Sequence, residues 1–346
     1  MTVLAAEALL AWTRALFAAA GLSAEHAATV AEVLVWADLR GVETHGVLRV
    51  PRYLEMITEG TLNAKPKMTL RTETAAAALI DADRAAGPVA MIHATEEALR
   101  RAAAVGIGLS ILSRTTHTGA LGYYTRIAAE RGAAALAFAA SGPNMIYHGA
   151  RRAGVSTSPL SIAVPGGGAA PIVLDMAAGV VTMGRLIAAR RSGERLPPGA
   201  AVDAAGEPTT DPAAAVLPLP LGGPKGSGLA LMFECLASLL GAHPILADAL
   251  TGEGEGRRHR QNAFVIAIDI ARFCDLAFFR REVKRLVAAL KALPRQAETA
   301  EILIPGERGD RMRARRLRDG IPLSTSVRSE LLRVSAALGV TPAPGA

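Results

Sequence analysis

The alternation of apolar strands and helices in the middle of the chain constrains the fold most. Residues 109–113 and 133–139 are short apolar runs typical of buried strands, and the segment between them has the spacing of a helix that ends before Gly132. A strand, a helix and a second strand bury their apolar faces together only in a core of packed layers. The sequence therefore predicts a mixed α/β fold.

Helical patterns flank this passage on both sides. Residues 3–19 and 24–39 are predicted amphipathic helices, in which Gly21 suits a helix end and Ser23 suits the N-cap of the next helix. Further helices are predicted at 87–104, 181–191, 229–240, 276–293 and 327–338. Further strands are predicted at 70–71, 77–81, 161–164, 171–175 and 263–269, and the segment 192–220 is predicted to be irregular.

The composition limits the class of protein. The chain has 346 residues, of which 51% are hydrophobic and 20% charged, so it can form a large core and is not a disordered chain. No apolar run reaches the roughly 18 residues of a membrane span. Cys235 and Cys274 have neither metal-site nor disulfide spacing, and the N-terminal segment lacks the basic start of a secretory signal. We therefore expect a cytoplasmic protein without a metal site.

The formal net charge of +7 leaves two explanations open. The arginine-rich run 308–318 is a candidate nucleic-acid-binding segment. The other basic residues are spread out, however, and few aromatic side chains lie among them to stack on bases. Attraction of an anionic substrate or cofactor explains the excess equally well. We expect no nucleic-acid partner, and a basic nucleic-acid-binding protein is the rival interpretation from another class.

The stretch 38–53, DLRGVETHGVLRVPRY, carries the densest group of potentially catalytic side chains. If the segment after Thr44 is helical, His45 and Arg49 are four residues apart and share one face. The planar fork of Arg49 can hold a carboxylate, and His45 can exchange a proton with an adjacent carbonyl oxygen. A helix start with solvated charges is the alternative. Pro51 belongs in a first helical turn, which leaves the start of the helix undetermined by one turn.

Three other positions have the chemistry of a binding site. His117 lies between a predicted strand and a predicted helix, where loops present functional groups. Asp175 follows a strand, so it can bind ribose hydroxyls or cap the next segment, but no Gly-x-Gly-x-x-Gly turn precedes it as in a Rossmann fold. Lys225 lies in a glycine-rich loop before a helix N-terminus, which predicts either an anion site or a tight structural loop.

Five motifs, taken together and in this order, resemble the malate/L-lactate dehydrogenase family of NAD(P)-dependent oxidoreductases. This family is unrelated to the Rossmann-fold lactate dehydrogenases and includes ureidoglycolate, sulfolactate and diketogulonate enzymes and cyclic imino acid reductases. Each motif alone is weak, but five in order over nearly the whole chain are a specific signal. They are GVETHGVLRVPRY (41–53), THTGALGYY (116–124), PIVLDMA (171–177), GGPKGSGLAL (222–231) and IPGER (304–308) with GIPL (320–323).

The resemblance implies an architecture and a set of site residues. The fold would be a non-Rossmann α/β fold with a largely antiparallel cofactor-binding sheet, a helical domain built from both chain ends, and a homodimeric assembly. His45 would donate or accept the proton, Arg49 would hold the substrate carboxylate, and His117 would be a second catalytic or positioning histidine. NAD or NADP would be the cofactor. Its contacts would be Ser141, Asp175, Met176, Ala177, Lys225, Gly306, Glu307 and Arg308.

The expected domains are a helical part over 1–70, a cofactor- and substrate-binding α/β region over 71–270, and helices over 271–346 that return to the first part. The chain departs from the family at Thr118, where the family commonly has phenylalanine. The smaller polar side chain would widen or polarise the pocket. The segments 192–220 and 253–261 also look short for the family, which would alter the pocket rim.

The predicted activity is hydride transfer between NAD(P) and C2 of a small 2-hydroxy or 2-oxo acid. The nearest alternative is NADPH-dependent reduction of a cyclic imino acid, in which a C=N bond replaces the C=O bond. A catalytically silent scaffold is a further alternative, and the presence of His45, Arg49, Asp175 and Lys225 argues against it.

Overall fold

The structure is a computed structural model that describes residues 2–168, 170–253 and 260–346. The loop predicted at 253–261 falls largely outside the described residues. The helices of the described chain are α1 (Ala6–Ala19), α2 (Ala24–Leu39), α3 (Val50–Thr58), α4 (Gly87–Val105), α5 (Gly122–Glu130), α6 (Met183–Ser192), α7 (Pro224–Phe233), α8 (Leu246–Thr251), α9 (Leu276–Lys291), α10 (Glu307–Asp319) and α11 (Thr325–Leu338).

The described strands form one large sheet and three small ones. The strands are β1 (Thr2–Leu4), β2 (Thr69–Glu73), β3 (Ala77–Asp81), β4 (Ile107–Thr115), β5 (Ala133–Ser141), β6 (Met145–Ile146), β7 (Ala153–Val155), β8 (Pro159–Val164), β9 (Ile172–Ala177), β10 (Ala201–Val202), β11 (Pro208–Thr209), β12 (Leu217–Pro218), β13 (Gln261–Asp269) and β14 (Ile321–Leu323). The seven-stranded sheet has the order β2-β3-β4-β13-β5-β8-β9. Only β3 and β4 pair in parallel.

The large sheet confirms the predicted α/β fold with mostly antiparallel strands. As predicted, helix α5 connects β4 and β5, but these strands are not neighbours. Strand β13 lies between them and pairs antiparallel with both, from Gln261 to Asp269 along β5. A late segment of the chain thus forms the centre of the sheet, which explains why most of β13 is buried. The local pattern alone contains no signal for this insertion.

One face of the sheet is covered by helices rich in alanine. In α4 the buried alanines at 90, 94, 98 and 102 follow the helical period and face Leu112 and Val265 of the sheet. Their small side chains let the helix approach the strands closely. The approach is closest to the backbone at Gly108 of β4, where a Cβ atom would lie only 1.8 Å from the carbonyl oxygen of Ala98. On the opposite face, Phe233 of α7 stacks on Phe138, with ring centroids 4.3 Å apart.

The two ends of the described chain lie side by side. Strand β1 pairs antiparallel with β14, with Thr2 opposite Leu323 and Leu4 opposite Ile321. The Trp12 indole N–H donates to the Ser335 hydroxyl at 2.8 Å, which joins α1 to α11. The predicted helix at 3–19 therefore starts later than expected, at Ala6, because the residues before it form a strand.

A small lobe follows β9. Helix α6 packs on a three-stranded sheet in the order β11-β10-β12, around buried residues that include Leu186, Leu196 and Ala201. The prediction of an irregular segment at 192–220 was therefore wrong in part, because its strands are two residues long and have no readable period. The lobe contacts the 38–53 stretch, since a Cβ atom on Gly184 would lie 2.8 Å from the Thr44 methyl group.

Candidate active site

A cavity of about 710 Å³ lies where four segments distant in sequence meet. Its walls come from the stretch 42–49, the loop 117–122, strand β9 and the segment 303–309. Cavities of this size and mixed polarity are typical of small-molecule and cofactor sites. The predicted site residues that line it are His45, Arg49, His117, Ser141, Asp175, Met176, Ala177, Gly306 and Arg308.

His45 and Arg49 share a wall of the cavity, but not because they share a helix face. The chain forms one 3₁₀ turn over Glu43–His45, a second over Val47–Arg49, and only then α3. The backbone of Gly46 is extended between the two turns, so the predicted four-residue helical spacing was wrong. Pro51 lies in the first turn of α3, as predicted.

The buried carboxyl group of Asp38 holds this double turn in place. Asp38 is only 2% exposed, and its Oδ2 accepts a hydrogen bond from the backbone N–H of Val47 at 2.8 Å. A Cβ atom on Gly46 would lie 1.9 Å from Asp38 Oδ1, so only glycine lets the backbone pass this close. Arg316 of α10 donates to the Asp38 carbonyl oxygen and, at 2.5 Å, to the Glu43 carboxylate. Helix α10 thereby fixes the turn from behind.

Burial sets the protonation states in the turn. Burial, together with the smaller effect of the neighbouring Arg49 guanidinium, lowers the pKa of His45 to about 4. Burial also raises the pKa of Asp38 to about 7, against the opposing hydrogen bond from Val47. The His45 imidazole is therefore neutral at neutral pH, and one of its ring nitrogens can accept a proton.

A hydrogen bond to a nearby backbone carbonyl group orients the side chain of Arg49. Its Nε donates to the Thr44 carbonyl oxygen at 2.7 Å. Its two terminal nitrogens make no hydrogen bond to a described residue, and the side chain lines the cavity. A guanidinium held at Nε with both Nη atoms available has the geometry for two-point binding of a carboxylate.

His117 stands next to His45 and is held by Tyr53. The two imidazole rings stack with centroids 5.3 Å apart and an interplanar angle of 24°. The Tyr53 hydroxyl lies 2.7 Å from His117 Nδ1, and it donates to the His117 carbonyl oxygen at 3.0 Å. Tyr53 is fully buried and its pKa is raised by that burial, so the hydroxyl keeps its proton. This contact fixes the ring orientation of His117.

Asp175 lies within β9, the edge strand of the large sheet, opposite Ser161, so the expectation that it follows the strand was wrong by a few residues. Its Oδ2 accepts a hydrogen bond from the backbone N–H of Gly122 at 2.9 Å, so it caps α5, an earlier element, and not the segment that follows it. Met176, Ala177 and Gly306 line the same side of the cavity, so the predicted cofactor positions from β9 and the 304–308 motif lie together.

The structure does not bring two of the predicted cofactor contacts into the cavity wall. Lys225 lies in the first turn of α7 and is exposed, away from the residues that line the cavity. The Glu307 carboxylate pairs with Lys291 at 2.7 Å and accepts the Ile304 N–H at 3.1 Å, which ties it to the loop before α10. Within the described subunit, both residues lie outside the cavity.

Sequence reasoning missed several residues that build the site. Asp38 and Tyr53 are the first and last residues of the stretch 38–53, and the sequence predicted a role for neither of them. An aspartate within an apolar helical segment, VLVWADL, is a signal for a buried polar contact, since an isolated buried carboxyl is costly. Gln261 and Asn144 also line the cavity, and no local motif marks them.

Part of the arginine-rich run is engaged in structural contacts, while Arg313 and Arg315 are exposed. In α10, Arg316 is buried against the 43–49 turn, Arg311 pairs with Glu301 at 2.5 Å and Arg318 pairs with Asp319 at 2.7 Å. The run therefore does not form a continuous free basic strip, which removes the main support for nucleic-acid binding. Among the described residues there is no cluster of histidine, cysteine and acidic side chains that could hold a metal ion, and no helix of sufficient length and apolarity to cross a membrane.

The chain is similar to known dehydrogenases over almost its whole length. A sequence model of malate/L-lactate dehydrogenase matches residues 4–332. Ureidoglycolate dehydrogenase (NAD(+)) of Escherichia coli strain K12 is 33% identical over 320 residues, covering 90% of each chain. The structure of malate dehydrogenase from Pyrococcus horikoshii superposes with a TM-score of 0.89 at 31% identity, covering 99% of this chain and 97% of that one.

A third relative is δ1-piperideine-2-carboxylate reductase from Pseudomonas syringae, with a TM-score of 0.85 at 27% identity over 96% of this chain and all of that one. The site and these matches together define an oxidoreductase of the dehydrogenase class. The chain belongs to the malate/L-lactate dehydrogenase family. The resemblance carried by the five motifs is thereby confirmed.

Proposed function

We propose that the protein transfers a hydride between NAD(P) and C2 of a small 2-hydroxy or 2-oxo acid. The observation that carries this proposal is that His45, Arg49 and His117 line one cavity together with Asp175 of β9. A 2-hydroxy acid presents a carboxylate and an adjacent hydroxyl, and the wall offers one group suited to each. The names of the relatives, which act on malate and ureidoglycolate, support the same substrate class.

Each of these side chains has a role in the proposed reaction. The two Nη atoms of Arg49 bind the substrate carboxylate, which places the C2 hydroxyl beside the stacked imidazoles. Neutral His45 accepts the hydroxyl proton during oxidation and returns it to the carbonyl oxygen during reduction. His117, held by Tyr53, lies over His45 and limits where the hydroxyl can sit.

The residues on the other side of the cavity suit a nicotinamide dinucleotide. Asp175 uses Oδ2 for Gly122, and its Oδ1 has no hydrogen bond to a described residue, so it is available to a ribose hydroxyl. Helix α10 begins at Glu307 after Gly306 in the left-handed region, and Arg308 lines the cavity beside this N-terminus. Exposed N–H groups and a guanidinium are suited to a pyrophosphate. When bound, the nicotinamide ring supplies or accepts the hydride.

Cofactor and substrate class are tested by two linked measurements. Titration with NADH and with NADPH is expected to give a saturable change in nicotinamide fluorescence for at least one of them. Turnover of a panel of 2-hydroxy and 2-oxo acids with that cofactor is then expected. If neither cofactor binds at millimolar concentration, or no 2-hydroxy or 2-oxo acid is turned over with a bound cofactor, the proposed activity is wrong.

Reduction of a cyclic imino acid is the second candidate, and the structural match to the piperideine-carboxylate reductase favours it. Such a substrate also carries a carboxylate for Arg49, and the proton would go to a nitrogen. Both five- and six-membered cyclic imines belong in the substrate panel. A kcat/KM for an imine above that of every 2-oxo acid would assign the protein to this second activity.

We propose further that two copies of the chain form a homodimer. Large apolar side chains follow α7 and the π-helical turn Glu234–Leu239 on one exposed side, with Met232 52% and Leu240 56% exposed. On the same face of the large sheet, Ile162 and Leu174 are directly paired neighbours that are 37% and 38% exposed. A contiguous apolar surface of this kind is typical of an interface.

A second copy is the occupant that this surface fits, because a twofold axis can place it against itself. Sedimentation equilibrium is expected to give twice the chain mass of 35.8 kDa. The double substitution Met232→Glu and Leu240→Glu is expected to produce monomers, since it would bury four unpaired carboxylates per dimer. Leu317→Glu, at an exposed leucine of α10, is the matched control and is expected to remain dimeric. A monomeric wild-type protein would refute the proposal.

We also propose the two-part domain organisation and a cytoplasmic location. The pairing of β1 with β14 and the Trp12–Ser335 hydrogen bond support a helical domain that contains both 1–70 and the final helices. Helix α9 lies apart from this domain, against the β8–β9 loop at Gly167. The two cysteines are free thiols, which supports a reducing compartment.

A further inference from the structure

The loop that carries His117 leaves the large sheet through a bulge in β4. The register between β4 and β13 shifts between Gln261 and Ala263, so two residues of β4 face the single residue Asn262. On its other side, β13 pairs with β5 without interruption. A bulge bends its strand and is often found where a side chain is aimed into an active site. This bulge directs the end of β4 towards the cavity that His117 lines.

Arg114, inside the bulge, has a backbone conformation that a residue with a Cβ atom rarely adopts. Its φ angle is +57°, in the left-handed region. Its backbone N–H donates to Asn262 Oδ1 at 3.0 Å, and its carbonyl oxygen accepts the Arg84 N–H at 2.8 Å. Such a conformation persists only where the surrounding contacts hold it. Because Arg114 precedes His117 by three residues, the chain direction at Arg114 determines where the imidazole lies.

The Asn262 side chain is held in one orientation. It is fully buried, and its NH₂ group donates to the Ser238 hydroxyl at 2.9 Å and to the His243 carbonyl oxygen at 2.7 Å. A carbonyl oxygen can only accept, so this contact identifies the nitrogen of the amide and leaves Oδ1 facing Arg114. The Ser238 hydroxyl in turn donates to the buried Glu234 carboxylate at 2.7 Å. The acceptor for Arg114 therefore has a fixed position.

The loop 115–118 is also fixed behind and beyond His117. Gln261, the neighbour of Asn262 in β13, accepts the Thr118 N–H at 3.2 Å through Oε1. Behind the loop, a Cβ atom on Gly87 at the start of α4 would lie 2.1 Å from the His117 carbonyl oxygen. The loop is thus packed between α4 and β13, and two adjacent residues of β13 hold its two ends.

We infer that Asn262 is a positioning residue for His117. By accepting the Arg114 N–H, it keeps the bulge in its left-handed conformation, and the bulge sets where the His117 imidazole stacks on His45. Asn262 lies outside the cavity wall of the described chain, so it acts on the reaction through the backbone. The inference rests on the proposed function, in which His117 limits where the substrate hydroxyl can sit.

Asn262→Ala is expected to lower kcat/KM for the best substrate of the panel by about 10–100-fold, because small displacements of groups in a site have effects of this size. The Kd of the nicotinamide cofactor is expected to stay close to the wild-type value. Ser238→Ala is the matched control, since it removes a hydrogen bond of the same network but keeps the contact between Asn262 and Arg114. It is expected to lower the melting temperature and to leave kcat/KM within about threefold of wild type.

A double-mutant cycle with His117→Ala tests whether Asn262 acts through His117. If it does, adding Asn262→Ala to His117→Ala changes kcat/KM by less than about threefold, although the same substitution in the wild-type enzyme costs about tenfold or more. Single-turnover rates by stopped flow give the values for slow variants. Losses that multiply in the double variant would show that Asn262 acts independently of His117, and they would overturn the inference.

Arg114→Gly provides a second background in which to measure the same substitution. Glycine adopts the left-handed conformation without strain, so it needs less support from Asn262. The buried Asp81 carboxylate, which pairs with Arg114, also pairs with Arg71 and keeps that partner. In the Arg114→Gly background, Asn262→Ala is expected to cost at least about threefold less in kcat/KM than in the wild-type background. An equal cost in both backgrounds contradicts the inference.

The outcomes separate this inference from the function on which it rests. If Asn262→Ala stays within about threefold of wild-type kcat/KM, the inference is wrong while the activity stands. If the wild-type enzyme binds a cofactor but turns over no substrate of the panel, the proposed function is wrong and the inference fails with it. Should Asn262→Ala not fold, Asn262→Ser takes its place, because serine keeps a donor for the His243 carbonyl oxygen and lacks the carboxamide oxygen that Arg114 uses.

Discussion

Replacing His45 with alanine is expected to lower kcat for 2-hydroxy-acid oxidation by about 10²–10⁴-fold, the usual contribution of a positioned acid or base. The reason is that His45 lies beside Arg49 on the cavity wall, where it can reach the hydroxyl of a substrate whose carboxylate Arg49 holds. The Kd for NADH is expected to stay close to the wild-type value, because the proposed cofactor contacts are Asp175 and Arg308 and not His45. Stopped-flow single-turnover rates and a fluorescence titration measure the two effects.

The pH profile identifies which histidine carries the proton. Burial lowers the pKa of His45 to about 4, so the active, neutral form persists as the pH falls and is lost only near that value. The profile of kcat/KM for oxidation is therefore expected to have its acid limb near pH 4, and His45→Ala is expected to remove this limb. Unchanged turnover in the variant, or an acid limb near the ordinary histidine pKa of about 6.5, would contradict the assignment.

Replacing Arg49 with alanine is expected to lower kcat/KM by about 10²–10³-fold, mainly through a higher KM. The Nη atoms of Arg49 have no described protein partner, so their contribution belongs to the bound substrate and not to the fold. Initial rates over a wide substrate range, at saturating cofactor, separate the effect on KM from the effect on kcat.

Arg49→Lys is the matched control for charge. Lysine keeps the cation but loses the planar fork and the Nε contact to Thr44, so only partial recovery of the alanine variant's loss is expected. Guanidinium ion added to Arg49→Ala is expected to raise its rate, since it can occupy the vacated space. Wild-type KM and kcat in Arg49→Ala would reject the carboxylate-binding role.

The fold class could be predicted because the strand and helix patterns of β4, α5 and β5 are regular and local. The order of the sheet could not, because β13 enters between β4 and β5 from more than a hundred residues away in the chain. No period or turn signal in residues 261–269 indicates which strands it will join. Such long-range pairing depends on which apolar faces remain open once the local elements have formed.

In the candidate site, too, the local features could be predicted and the long-range contacts could not. His45, Arg49 and His117 have side chains with obvious chemistry inside recognisable motifs, and the structure brings them to one cavity. The helical spacing used to connect His45 with Arg49 was wrong, because Asp38 draws the Val47 N–H into a hydrogen bond and Gly46 interrupts the helix. The roles of Asp38 and Tyr53 depend on contacts in three dimensions that no spacing in the sequence encodes.

The contact of Arg316 with the 43–49 turn has a consequence for when this turn becomes ordered during synthesis. The turn at 43–49 is synthesised well before α10, yet the guanidinium that contacts Asp38 and Glu43 belongs to α10. Until α10 is synthesised, the early segment has its histidine and arginine but lacks the brace that sets their positions. The 43–49 turn is therefore expected to take up its described conformation only after α10 has docked against it.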